Sequence, residues 1–174
     1  MLMISWLRDG ETAKLAVQAA LTGRLVLAAL HAVDAPSALA RLIYLGVEPY
    51  AAGATVAGVL AQRQVRRLCS ACKQSVDPTA NQKRQIEPFV GTVEKLFISR
   101  GCEKCHGLGY AGRLGIHELL ICDDALSERL SQGAPLAELR TLAEKSGLKL
   151  LRSDGLEKVK SGLTTLDEVY RVTG

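Results

Sequence analysis

The 174-residue chain has few aromatic residues and no long apolar run. Trp, Tyr and Phe make up only 4% of it, so Leu, Val, Ile and Ala must supply the core. No apolar stretch approaches the ~20 residues that a membrane-spanning helix needs. The apolar segment 1–6 is far shorter than a secretory signal, and the charged Arg8 and Asp9 follow at once. We therefore expect a globular protein of the cytoplasm.

The chain also lacks a strong excess of either charge. Its 22 Lys and Arg exceed its 18 Asp and Glu by only four. The basic residues are spread along the sequence, with the densest cluster at Arg63, Arg66 and Arg67. Proteins that bind nucleic acid usually show a basic stripe with interleaved aromatic residues. Since that pattern is missing, we expect no nucleic-acid partner.

Cysteine is the residue type with a clear pattern. Four of the five cysteines form two Cys-x-x-Cys pairs, Cys69 with Cys72 and Cys102 with Cys105. Two intervening residues let both thiolates of a pair turn toward one point. Two such pairs complete a tetrahedral S₄ shell, which is the geometry that zinc prefers in structural sites. The sequence therefore predicts a Zn²⁺ site formed by these four cysteines.

Other uses of paired cysteines fit less well. Two disulfides would need an oxidising compartment, which nothing in the sequence indicates. A redox Cys-x-x-Cys normally occurs once, at the start of a helix in a βαβ unit, whereas this chain has two within a polar segment. The fifth cysteine, Cys122, ends an apolar run and is interpreted as a small core residue.

Before the first cysteine, apolar periodicity predicts alternating strands and helices. Residues 2–6 and 25–30 are expected to be buried strands, and residues 59–68 a third. Helices are expected at 9–21, at 34–45 and after Pro49. This order predicts an α/β fold with a parallel sheet. Three strands are few for a doubly wound domain, so this part is interpreted as half of one.

The second half of the sequence has a different pattern. Residues 75–87 are polar and are expected to be a loop or a short helix. Residues 113–122 form a mostly apolar run that predicts a strand. Four helices are then expected at 124–130, 136–145, 150–160 and 166–172. Thr165 and Glu168 have the spacing of a capping box for the last of these.

Three stretches together resemble the ATPases of type II secretion and type IV pilus assembly, most closely the general secretion pathway protein E type. The first begins MISWLRDGETAKLAVQAALTGRLVLAALHAVDA and covers residues 3–49. The second comprises GVLAQRQVRRLCSACK, at 58–73, and GCEKCHGLGYAGRLGIHELL, at 101–120. The third, SDGLEKVKSGLTTLDEVYRVT, covers 153–173. The resemblance thus extends over nearly the whole chain.

This resemblance implies a fold, a motor and a location. It implies a partial RecA-like parallel sheet at 1–68, a tetracysteine metal subdomain at 69–112, and a strand with a helical region at 113–174. The family implies a hexameric P-loop ATPase that uses ATP and Mg²⁺ to drive pseudopilus or pilus assembly. It also implies platform proteins as partners at the cytoplasmic face of the bacterial inner membrane, with membrane association through those partners only. Some members have the cysteines but hold no metal.

The sequence departs from the family at two nucleotide-site motifs. No G-x-x-x-x-G-K-[ST] phosphate loop occurs in the chain, so that motif, the acidic box and the intersubunit arginines are expected upstream of residue 1. In the family, a Gly-Glu pair precedes the Ile-Arg-Asp that aligns with Leu7-Arg8-Asp9. Ser5 and Trp6 stand there instead, and an indole cannot replace the carboxylate that orients water and supports magnesium. Trp6 is interpreted as an apolar strand residue.

A few single residues are candidates for function. His31 occupies the second histidine position of the family's histidine box, where the resemblance implies a sensor of the nucleotide phosphate. A histidine that only ends the strand is an equally good interpretation. Arg24 stands at the first histidine position. Arg113 matches a family arginine, or makes a surface salt bridge.

The two other histidines have simpler interpretations. His106 is expected to be an exposed loop residue beside a metal shell that four cysteines already complete. His117 lies in an apolar run and is expected to be partly buried with a satisfied hydrogen bond. Asp123 and Asp124 are explained by helix capping.

Three functions follow from these features. The chain is the C-terminal portion of a hexameric secretion ATPase that does not hydrolyse ATP by itself. Alternatively, it is a non-catalytic docking module stabilised by zinc, or a truncated, inactive paralogue. The missing phosphate loop and Trp6 leave open whether this chain is an enzyme.

Overall fold

Short strands and helices alternate through the first part of the chain, and four helices close it. The computed structural model describes all 174 residues, Met1–Gly174. The strands are β1 Leu2–Ile4, β2 Val26–Ala28, β3 Gly58–Leu68, β4 Gln74–Val76, β5 Leu96–Ile98 and β6 Tyr110–Ile121. The helices are α1 Gly10–Leu21, α2 Ala35–Tyr44, α3 Pro49–Thr55, α4 Ala80–Val90, α5 Asp124–Ser131, α6 Leu136–Lys145, α7 Leu151–Lys160 and α8 Leu166–Thr173.

The first three elements form a parallel βαβ unit. The Asp9 carboxylate accepts a hydrogen bond from Thr12 N–H at 2.8 Å and starts α1, as its position in the sequence predicts. Gly23 ends α1 and reverses the chain direction in a left-handed conformation, at φ +83°. Glycine suits this position because it has no Cβ to clash with the backbone. β2 then pairs with β1 in parallel.

The prediction that these two strands are buried is wrong. The sheet has only two strands. Leu2 is 41% exposed, Met3 83%, Leu25 62% and Leu27 50%. A parallel strand is apolar throughout when both of its faces are covered, and here α1 packs against β2 without covering the sheet. The residues of β1 and β2 are thus apolar, as in a buried parallel strand, although they are exposed.

The third predicted strand exists but belongs to another sheet. β3 pairs with β6, not with β1 or β2. Hydrogen bonds from Cys69 N–H to Gly109 O and from Cys122 N–H to Ala57 O, beyond opposite ends of the pair, make it antiparallel. A short antiparallel pair of β4 with β5 lies between them in sequence.

The chain divides into two units, each with its own apolar core. Unit 1 comprises residues 1–61 and 118–148, and unit 2 comprises residues 62–117 and 149–174. In unit 1, fully buried leucines from α2, α5 and α6 pack with alanines of α1 and α3: Ala13, Leu39, Ala52, Leu126, Leu130 and Leu139. A side chain on Gly53 of α3 would place its Cβ 2.5 Å from Ser127 O of α5, so glycine allows these helices to touch.

Unit 2 is built around α4, α7 and α8. Its core contains Ile86, Val93, Leu96, Leu156, Val159 and Val169. α4 begins with a reciprocal capping box, in which Thr79 accepts from Gln82 N–H and Gln82 accepts from Thr79 N–H. This helix resolves the loop-or-helix alternative for the polar segment in favour of a helix.

The predicted C-terminal helices are confirmed, but one cap differs. Thr165 accepts a hydrogen bond from Glu168 N–H at 3.4 Å, as a capping box requires. The Glu168 carboxylate does not accept the reciprocal hydrogen bond from Thr165 N–H, because it accepts hydrogen bonds from Arg66 of β3 and Arg171 of α8 instead. None of the eight helices is long and apolar enough to cross a lipid bilayer.

The exposed apolar face of β1 and β2 predicts self-association of the chain. Light scattering coupled to size-exclusion chromatography at high protein concentration should give a mass above that of one chain. Leu25→Glu with Leu27→Glu should move the mass toward the monomer, because charge opposes burial of this face and pairing at an open sheet edge.

The matched control is Leu15→Glu on α1, where the side chain is 58% exposed outside this sheet. It should leave the mass unchanged. A monomer for the unsubstituted chain at high concentration would contradict the prediction.

Candidate functional site

The four predicted cysteines converge on one point in unit 2. Their sulfur atoms all lie within 4.8 Å of one another. The Sγ atoms are 3.9 Å apart between Cys69 and Cys102, 3.8 Å between Cys72 and Cys105, and 3.7 Å between Cys102 and Cys105. All four are free thiols, which agrees with the argument against disulfides.

These separations suit a tetrahedral metal centre. With Zn–S bonds of about 2.3 Å, the edge of an S₄ tetrahedron is about 3.8 Å. Three of the six sulfur–sulfur distances lie within 0.1 Å of that value, and all six are at most 4.8 Å. Four thiolates are a soft donor set with no open position, which favours a structural zinc site over a catalytic one. The residues present therefore fit a bound zinc ion.

The second cysteine pair forms its corner through a tight local turn. A single 3₁₀ turn, Glu103–Cys105, separates the two thiols. His106 and Gly107 then take left-handed conformations, at φ +52° and +77°. The turn aims Cys102 N–H and Gly109 N–H at the Cys105 sulfur, each at 3.2 Å. Gly107 suits such a turn because it lacks a Cβ.

The thiols titrate differently because their surroundings differ. Burial raises the pKa of Cys105, but donation from Cys102 N–H and Gly109 N–H outweighs it and lowers that pKa to about 6. Burial also raises the pKa of Cys72, and thiol hydrogen bonds help to bring it to about 11. Cys105 is thus prepared to act as a thiolate ligand near neutral pH.

A second candidate site in unit 1 contains His31. Trp6, Leu7, Arg8, His31 and Arg41 line a cavity of about 460 Å³. The Trp6 and His31 rings meet edge to face, with centroids 4.1 Å apart and planes at 76°. The predicted sensor histidine and the tryptophan at the carboxylate position therefore share one pocket, beside two guanidinium groups.

A buried carboxylate that sequence reasoning missed supports the segment after His31. Glu118 of β6 is 2% exposed, and its Oε1 accepts a hydrogen bond from Ala35 N–H at 2.8 Å. Asp34 caps Ser37 N–H and pairs with Arg140 of α6 at 2.8 Å. These contacts fix the start of α2, four residues beyond His31. The only sequence signal for Glu118 is an acidic residue within an apolar run.

The remaining predicted residues have mixed outcomes. Arg24 does not line the His31 cavity, and its guanidinium donates to Thr22 Oγ1 at 2.6 Å. His106 is exposed, as predicted. The side chain of His117 in β6 is half-buried, as predicted, at 49% exposure, but its Nδ1 lies 3.9 Å from Asp154 Oδ2, beyond hydrogen-bond distance. Asp123 caps α5 by accepting from Leu126 N–H, as predicted.

Burial also raises the pKa of the remaining thiol, Cys122, to about 11. It packs against the core of unit 1, as the sequence predicts. Its thiol is therefore protonated at neutral pH.

An arginine–carboxylate network lies beside the cysteine site. The Glu168 carboxylate, 1% exposed, accepts four hydrogen bonds. Two come from Arg66, from N–H at 2.9 Å and from Nη2 at 2.7 Å. Two come from Arg171, from Nε at 3.0 Å and from Nη2 at 2.9 Å. Donation from Arg171, then from Arg66, lowers the pKa of Glu168 to about 2 despite burial.

Comparison with known proteins identifies the family of this fold. The model of the type II/IV secretion system protein family matches residues 1–171. The chain belongs to this family. This confirms the family to which the three sequence stretches point.

The curated relatives are larger than the chain. It is 44% identical over 174 residues to the type IV pilus assembly ATPase PilB of Thermus thermophilus, covering 99% of the chain and 20% of that protein. It is 46% identical over 172 residues to the type II secretion system protein E of Dickeya dadantii, covering 98% of the chain and 34% of that protein. The chain therefore spans between a fifth and about a third of these relatives.

Solved structures of the family share the fold. The pilus retraction motor PilT with bound ADP superposes with a TM-score of 0.65 at 18% identity, over 98% of this chain and 39% of that one. The ATPase DotB of Legionella pneumophila gives a TM-score of 0.64 at 18% identity, over 98% and 38%. The α/β fold of the chain is therefore similar to the folds of PilT and DotB.

The Glu168 network predicts acid-dependent stability. The folded pKa of about 2 lies below the ordinary value of 4.5, so the stabilisation is complete above about pH 4.5 and disappears as the pH falls toward 2. Glu168→Gln should lower the free energy of unfolding by about 2 kcal/mol at pH 7, after allowance for the half-exposed arginines. Urea unfolding of both proteins at pH 7 and at pH 3 measures this loss of free energy of unfolding.

The difference between Glu168→Gln and the unsubstituted chain should shrink at pH 3, since acid reduces the stabilisation from the Glu168 carboxylate, which the Gln variant already lacks. Glu94→Gln is the control, because it removes one exposed carboxylate from the same unit. An equal loss in both variants, or a difference that does not depend on pH, would contradict the role assigned to Glu168.

Proposed function

We propose that the chain is the metal-binding and helical portion of a hexameric ATPase for type II secretion or type IV pilus assembly. The observation that carries this proposal is the meeting of four thiols within 4.8 Å in a chain of the secretion family. Zn²⁺ bound by Cys69, Cys72, Cys102 and Cys105 joins the end of β3 to the turn before β6. The metal then acts as a scaffold.

The proposal divides the chain into three parts. Residues 1–68 contribute the C-terminal half of a RecA-like core. Residues 69–112 contribute the tetracysteine subdomain, and residues 113–174 a strand with helices. In the assembled hexamer, platform proteins at the cytoplasmic face of the inner membrane are the partners. Nucleic acid is not among them.

The nucleotide role that we propose for this chain is limited. His31 faces the 460 Å³ cavity with Arg8 and Arg41, a cationic setting suited to a nucleotide phosphate. Trp6 lines the same cavity, where a carboxylate would be needed to support magnesium and orient water. The 174 residues contain no phosphate loop. We propose that ATP and Mg²⁺ act in the assembled motor and that this chain alone does not hydrolyse ATP.

A docking module is the second candidate function. It is favoured by the exposed basic surface beside the cysteine site, where Arg66, Tyr110 and Arg113 line a small pocket. In this case the zinc centre serves only to hold a binding surface.

The chain is expected to bind one zinc ion. Elemental analysis of protein prepared without chelator should give about one equivalent. Cys105→Ser should remove most of the metal, because it leaves only three thiolates for a site that needs four. Cys122→Ser is the matched control and should keep the full equivalent. Less than about a tenth of an equivalent in the unsubstituted chain would overturn the zinc assignment.

The chain alone is expected to show no detectable ATP turnover. Phosphate release with Mg²⁺ should equal the buffer blank, and Trp6→Glu should not restore it, because a carboxylate without a phosphate loop cannot hold the nucleotide. Turnover that requires magnesium and is lost in His31→Ala would contradict this expectation.

A further inference from the structure

Charge is distributed unevenly between the two units. Unit 2 contains 15 Lys and Arg against eight Asp and Glu, a formal charge of +7. Unit 1 contains seven against ten, a formal charge of −3. The small net charge of the whole chain conceals this division. Even four thiolates with one Zn²⁺ would leave unit 2 at +5, so it attracts anionic partners.

The basic unit has one small pocket with a specific lining. Arg66, Leu108, Tyr110, Gly112 and Arg113 surround about 210 Å³. The pocket lies next to the cysteine turn, since Leu108 follows Cys105 by three residues. Cofactor and small-molecule pockets usually occupy about 300–1,000 Å³, so this one suits a side chain better than a nucleotide.

One wall of the pocket is a guanidinium that is held in place. The Arg66 Cζ atom lies 4.3 Å from the centre of the Tyr110 ring, which itself is fixed by a 2.9 Å hydrogen bond between Tyr110 Oη and Thr165 Oγ1. The buried Glu168 carboxylate binds the Arg66 Nη2. Arg66 nevertheless remains 49% exposed, so it retains donors for a further anion.

A second guanidinium, that of Arg113, also lines the pocket. Arg113 is exposed, and its guanidinium forms no ion pair or hydrogen bond. The surface salt bridge that is one interpretation of its position in the sequence is therefore absent. Glu168 is shared by Arg66 and Arg171, which leaves excess positive charge at this place. Leu108, 68% exposed, adds an apolar rim.

We propose that this pocket binds a carboxylate side chain, Asp or Glu, from an acidic segment of a partner protein. The carboxylate lies between the guanidinium groups of Arg66 and Arg113, and a neighbouring apolar side chain of the partner rests on Leu108. Arginine suits this role because its planar fork matches a carboxylate. The proposal goes beyond the motor function and does not depend on ATP.

The chemistry of the pocket favours a protein segment over other polyanions. Lipid surfaces are recognised by clusters of about 4–8 exposed Lys and Arg, whereas two guanidiniums line this concave site. Single-stranded nucleic acid needs a basic groove with successive aromatic platforms, and Tyr110 is the single aromatic ring here. An Asp or Glu next to an apolar residue matches both the guanidinium groups and the apolar Leu108 of the pocket.

The test uses the full chain and a phage library of random 12-residue peptides. Selected peptides should be enriched in Asp or Glu adjacent to an apolar residue. A fluorescein-labelled selected peptide should then bind with an affinity that falls at least about tenfold in Arg113→Glu and only partly in Arg113→Lys. Replacing its acidic residues by Gln or Asn should have the same effect as Arg113→Glu.

The matched control is Arg84→Glu, an exposed arginine of α4 in the same unit, which makes the same change in net charge. It should alter peptide affinity less than about twofold, because a general charge effect alone is small and screened. Zinc content and circular dichroism verify that each variant is folded.

Several results would overturn the proposal. One is a selection without acidic enrichment, or peptide binding that is equal in Arg113→Glu. Another is an equal loss in Arg84→Glu, which would indicate general attraction. If inorganic phosphate or phosphatidylserine vesicles bind through Arg113 and the acidic peptides do not, the pocket recognises phosphate or lipid instead.

Discussion

The pairing of β3 with β6 is the constraint on which the cysteine cluster and the basic pocket of unit 2 both depend. The Cys69 N–H bonds to Gly109 O, which brings together cysteine pairs that are 29 residues apart in sequence. The same end of the ladder places Arg66 over the ring of Tyr110. The tetracysteine cluster and the basic pocket are therefore neighbours for one reason. A zinc ion would reinforce this pairing by closing the loop between the strands.

Two buried carboxylates connect segments that are distant in sequence. Glu168 binds Arg66, 102 residues earlier, and Glu118 binds the backbone of Ala35, 83 residues earlier. A buried carboxylate is costly unless its oxygens are satisfied, so each is tolerated only where several donors meet it. One fixes α8 on β3 beside the basic pocket, and the other fixes the start of α2 near His31. Both are parts of the scaffold that hold candidate sites in shape.

The chain combines a fold similar to those of PilT and DotB with a cavity that contains Trp6 and His31. The α/β fold agrees with solved motor domains at TM-scores of 0.64 and 0.65. In the His31 cavity, however, the indole of Trp6 meets the imidazole edge to face. That contact is apolar and cannot bind a cation through oxygen.

The sequence by itself determined the local structure and the four cysteines that could hold a metal. Helix caps such as Asp9, Asp34 and Asp123 act within three residues, and Cys-x-x-Cys spacing fixes a turn, so both can be read from neighbouring residues. Partners far apart in sequence leave no such signal.

Only the tertiary structure decided which sheet β3 joins, that β1 and β2 are exposed, and that Glu168 faces two arginines instead of its cap. It also decided that charge separates between the units and that the Arg113 guanidinium has no partner. These properties depend on contacts between segments that are distant in sequence, and local sequence patterns do not specify such contacts.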